Sequence, residues 1–144
     1  MASVLDTATR GFVKSLLRRY PLLKKELAAL EAERQSIYES LPSSAASWTR
    51  GGKPDPARAA DASHSSKIQR LWRLEQAWSR TRFYVEAIED VLAVLDGEKR
   101  RFIELHFFCH RPLAVAAHEV AYSERTCKRW VAEALQLLAH RLGL

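Results

Sequence analysis

The chain has 144 residues, 47% of them apolar, which is enough to build a core and excludes a wholly disordered tail. Lys and Arg number 23 against 17 Asp and Glu, and the resulting net charge of +6 is compatible with nucleic acid or an anionic surface as a partner. Two cysteines form no disulfide framework, and five glycines leave little room for Gly-rich phosphate loops.

The N-terminus has no apolar stretch followed by a small-residue cleavage site, so it does not read as a secretory signal. No run approaches the length a spanning helix needs. The expected location is the cytoplasm, with Cys109 and Cys127 as reduced thiols.

Apolar residues then fall at Leu16, Tyr20, Leu23, Leu27, Leu30, Ile37 and Leu41, with Arg34 in the one polar slot. This heptad spacing predicts a helix. Pro21 cannot sit deep within it, so a first helix is expected to end near Arg19 and a second to start at Pro21 and run to about Ser40. Residues 42–63 are rich in Pro, Gly, Ser and Ala and read as a flexible linker, open to proteases.

A third helix is expected from about His64–Lys67 to Leu95, with the stripe Leu71, Leu74, Trp78, Thr81, Val85, Ile88, Leu92 and Leu95. Two such stripes joined by a loop predict a helical hairpin with coiled-coil-like seams, Leu27 and Leu30 being buried against Leu74 to Leu92. The partner of either stripe is the other one or a second copy of the chain.

Asp96 and Gly97 break this helix, and Asp96 caps the next. Phe102, Leu105 and Phe108 or Cys109 predict an amphipathic helix ending at Arg111, before Pro112. A short helix with Val115, Ala116 and Val120 facing inward follows. After a turn at Ala121 and Tyr122, Ser123 caps a last helix with an inner stripe of Cys127, Trp130 or Val131, Ala134, Leu137 or Leu138, and Leu142.

The architecture expected is therefore all-α, with a helical hairpin over residues 1–95 and a helix-turn-helix over 96–144. Ala116 and Ala117 supply the small side chains where the helices cross, and Tyr122 is available to plug the crossing. Glu124, Arg125, Lys128 and Arg129 share the outer face of the last helix, with a net charge of +2. Arg and Lys can read guanine in a major groove, and Glu can accept from cytosine.

The stretch VLDGEKRRFIELHFF…LAVAAHEVAYSERTCKRWVAEALQLLAHRL resembles the C-terminal helix-turn-helix of sigma-factor-like regulators. The whole chain, with its N-terminal LLRRYPLLKKELAALE, is similar to phage late transcriptional regulators of the RinA and ArpU type, most closely over residues 91–142. The resemblance implies a sequence-specific DNA-binding regulator of phage or prophage late genes, an activator acting in a bacterial host cell, with the host RNA polymerase as a further partner. It places DNA contacts on Glu124, Arg125, Lys128 and Arg129, with Ser123 and Thr126 facing the backbone. The family carries glycine in the turn where this chain has Ala121, and a left-handed residue there would be strained.

His106, Cys109, His110, His118 and Cys127 include one i, i+4 histidine pair but no third ligand at zinc-site spacing, and read as packing or surface residues. No GxSxG, HExxH or P-loop is present, so neither an enzyme nor a bound cofactor is expected. Two rival classes remain: a small-terminase-like packaging subunit, which would assemble into rings, and a helical interaction protein without DNA binding. Mass measurement in solution separates rings from the monomers or dimers expected of a regulator.

Overall fold

The computed structural model describes residues 5–41 and 54–144, with backbone only over 54–64. Among them there is no strand, and the fold is all-α. The elements are α1 (Thr7–Arg18), α2 (Tyr20–Ser40), α3 (Pro54–Val94), α4 (Gly97–Ile103) with a π-turn (Glu104–Phe108) at its end, α5 (Leu113–Val120) and α6 (Glu124–Arg141).

Local chemistry accounts for the boundaries. The Asp6 carboxylate accepts a hydrogen bond from the Thr9 amide at 2.6 Å and caps α1. Arg19 alone separates α1 from α2, and Pro21 occupies the first turn of α2, where its missing N–H costs nothing. The third helix starts at Pro54 rather than near residue 64, so the later half of the expected linker is helical. Its sequence explains the difference: Pro54 suits a first helical position, and Ala57 to Ala62 are mostly good helix formers. The rest of the expected linker, 42–53, lies outside the described residues.

The chain gathers into two compact units, Met1–Lys24 with Arg82–Leu144, and Lys25–Thr81. In the second unit, α2 and α3 run antiparallel. Arg70 pairs with Glu33 at 2.8 Å, Arg34 with Glu75 at 3.1 Å, and the Tyr38 hydroxyl donates to Glu75 at 2.6 Å. Ile37 and Leu74 are buried there. Arg34, the polar interruption of the apolar stripe, lays its guanidinium 4.4 Å from the Trp78 ring centre, so the stripe continues through a cation–π contact. Leu27 and Leu30, expected to be buried, are only half-buried. Leu30→Ala should therefore cost less than the roughly 2–5 kcal/mol of a full core truncation.

The first unit holds the larger core. Val13, Leu16 and Leu17 of α1, Val85, Ile88, Val91 and Leu92 of α3, and Phe102, Ile103 and Phe107 are all buried in it. The π-turn changes the register expected for α4. The Cys109 amide donates to the Glu104 carbonyl, five residues back, at 3.0 Å. The wider turn carries Phe107 inward, whereas Leu105 and Phe108 are half-buried and Cys109 is exposed. The helix consequently ends before Arg111, and His110 takes a positive φ of 54°. His106 Nδ1 lies 2.8 Å from the Arg111 carbonyl and, as donor, ties down this exit.

Ala121 ends α5 at φ 62° and ψ 40°, in the left-handed region. The amide of Tyr122 donates to the Ala117 carbonyl and that of Ala121 to the His118 carbonyl, each at 3.1 Å. This is a Schellman cap with alanine at the position glycine normally holds. The Cβ makes that conformation cost roughly 1–2 kcal/mol. Ala121→Gly should raise stability by about 1 kcal/mol, read as a higher denaturant midpoint with an unchanged slope.

Candidate nucleic-acid interface

The candidate interface is built from α5, the three residues 121–123, and α6. Ala116 and Ala117 are buried where α5 meets its neighbours, which lets the backbones approach closely. Val115, expected to face inward, is 41% exposed, and Ala117 takes its place in the core. Tyr122 does not plug the crossing either. It is 46% exposed and sets its ring edge-on to Trp130, with centroids 4.6 Å apart.

Ser123 caps α6: its Oγ accepts from the Thr126 amide at 3.1 Å, while its hydroxyl donates to Thr126 Oγ1 at 2.9 Å. Both hydroxyls are thus engaged with each other at the helix start. Ser123→Ala should cost about 1 kcal/mol of stability, measured by chemical denaturation.

Residues Cys127, Trp130, Val131, Ala134, Leu135, Leu138 and Ala139 form the buried face of α6. It contains Leu135 and Ala139, which the simple stripe omits, whereas Leu137 and Leu142 are half-buried. The wider face arises because α6 packs against α1, α4 and α5 together. Burial, and then Glu124, hold the Cys127 thiol above its ordinary pKa, so it serves as a neutral packing group.

The opposite face carries Glu124, Arg125, Lys128 and Arg129, all exposed, with Thr126 half-buried beside them. The structure thus brings Ser123, Glu124, Arg125, Thr126, Lys128 and Arg129 together on the first two turns of one helix. Among the described residues, Arg125, Lys128 and Arg129 have no ion-pair partner. Other cations of the same unit do: Lys99 pairs with Glu133 at 3.1 Å, Arg100 with Glu104 at 3.0 Å, Arg111 with Glu119 at 3.3 Å and Arg141 with Asp90 at 3.5 Å.

The sequence puts Phe102 and Trp130 on inner stripes of their helices, as the structure does, but does not pair them with each other. Phe102 is fully buried, meets the Trp130 ring edge-on at 6.1 Å and stacks on His106. An aromatic pair 28 residues apart leaves no periodic signal.

Comparison with protein-family models, curated proteins and solved structures finds no significant match. Among the described residues, no helix is long and apolar enough to cross a membrane.

Proposed function

We propose that this chain is a sequence-specific DNA-binding transcriptional regulator, with α5 and α6 acting as a helix-turn-helix and α6 entering the major groove. The observation that carries the reading is the set of three exposed cations, Arg125, Lys128 and Arg129, without an ion-pair partner among the described residues, on a helix whose opposite face is locked in the core. A protein gains little from leaving three cations unpaired on one helical face, whereas a polyanion pairs them while releasing its own counterions. Arg125 and Arg129, four residues apart, project along one groove, with Glu124 and Lys128 beside them. The resemblance to phage late regulators supplies the expected setting, activation of late genes in a bacterial host with RNA polymerase as a partner.

The test is selection of bound fragments from the source genome by the full chain, followed by gel shift. Enrichment of one short motif, bound at least a thousandfold better than scrambled duplex, is the expected result. Equal weak binding of all fragments would remove the claim of sequence specificity. No binding at all would leave the interaction-protein reading.

A further inference from the structure

Residues 7–25 hold six of the chain's 23 Lys and Arg and none of its 17 Asp and Glu. The remaining seventeen cations are matched by seventeen acids, so the whole formal charge of +6 belongs to this one segment. Three of the six, Arg10, Lys14 and Arg18, recur every fourth residue of α1. They form a row on one flank of the helix, about 12 Å long at 1.5 Å per residue. Phe12 points to the other flank, where its ring meets Tyr84 edge-on at 6.2 Å.

Like charges at this spacing repel. Among the described residues no carboxylate pairs with any of the three, although Lys24, further along the same segment, pairs with Glu89 at 3.4 Å. Burial of its stem, then Arg18 and Arg10, hold the Lys14 ammonium below its ordinary pKa. The helix therefore keeps a strip of uncompensated positive charge.

We propose that Arg10, Lys14 and Arg18 form a second DNA contact, sequence-independent, with the phosphate backbone of the duplex that α6 reads. This rests on the DNA-binding reading of α6. Two observations favour a duplex over a lipid surface. α1 packs directly on α6, so the row is carried by the helix that buttresses the reader. An interfacial membrane helix needs its apolar face for lipid, and that of α1, Val13, Leu16 and Leu17, is buried in the protein core.

The experiment is a salt titration of the full chain on matched and scrambled duplexes, comparing wild type, the Arg10→Gln/Lys14→Gln/Arg18→Gln variant and Arg129→Ala. With the α1 row neutralised, affinity should fall about tenfold or more on both duplexes, and the slope of log K against log salt should drop by about two to three units. The ratio of matched to scrambled affinity should not change. The melting temperature should hold or rise, because a repulsion has been removed. An unchanged slope in a folded variant overturns the proposal. If Arg129→Ala still weakens matched binding in that case, the reading of α6 stands alone. Failure of the wild type to bind any duplex overturns both. Should the triple variant lose stability, Arg10→Lys/Arg18→Lys decides: restored binding supports the charge contact, and no restoration overturns it. Anionic-vesicle binding that the triple variant loses, with duplex binding unaffected, also overturns it.

Discussion

Replacing Arg125, Lys128 and Arg129 together by Ala should weaken binding to the selected duplex by about 3 kcal/mol or more, over a hundredfold in Kd, with the melting temperature nearly unchanged. The stability should hold because all three side chains are exposed and unpaired among the described residues. Removing them creates no cavity and orphans no buried partner. The binding loss should be large because three positive charges leave one helical face while Glu124 stays on it. The single variants divide the effect. If Arg129 reads a guanine edge, Arg129→Ala should cost about 1–3 kcal/mol on the matched site and relax preference at one base pair. If it meets only phosphate, affinity should fall alike on all sequences and the salt slope should drop by about one unit. Titrations on matched and scrambled DNA distinguish these outcomes. Unchanged binding by the folded triple variant would show that α6 is not a recognition helix.

The largest effect on stability should come from Phe102→Ala, at about 3–5 kcal/mol. Phe102 is fully buried and touches both sides of the site: Trp130 on α6 and His106 in the π-turn. Truncation removes a ring's worth of burial and leaves a cavity that α4 and α6, held by their other contacts, can only partly close. Denaturant unfolding followed by Trp fluorescence should show a lower midpoint at constant slope. A loss below about 1 kcal/mol would mean that Phe102 is not at the centre of this core. Leu30→Ala, on the half-buried hairpin stripe, serves as the contrast and should cost clearly less.

The class of fold and the outer face of α6 were legible in the amino-acid order because both depend on local rules. The three-to-four spacing marks a helix, Pro21 and Asp96 mark its interruptions, and Ser123 caps the helix that follows. Once Cys127 and Trp130 lie on the inner face, the 3.6-residue repeat puts Arg125, Lys128 and Arg129 outside, whatever the rest of the chain does. The left-handed turn at Ala121 runs against local preference, and the contacts of the finished fold hold it.

Where neighbours from distant parts of the chain share one space, local order does not suffice. Composition makes 54–63 look like loop, yet its alanines join α3. Leu27 and Leu30 carry a core-like spacing but stay half-exposed, because a pair of helices covers only a narrow seam. The π-turn sends Phe107 inward in place of the residues a regular helix would choose, since one wider turn shifts the register of everything after it. The partnership of α1 with α6 joins the two ends of the sequence, and no periodicity within either helix encodes it. Ion pairing is likewise a property of folded space: Arg111 and Arg125 look alike in the sequence, and packing gives Glu119 to one of them, while the other has no ion-pair partner among the described residues.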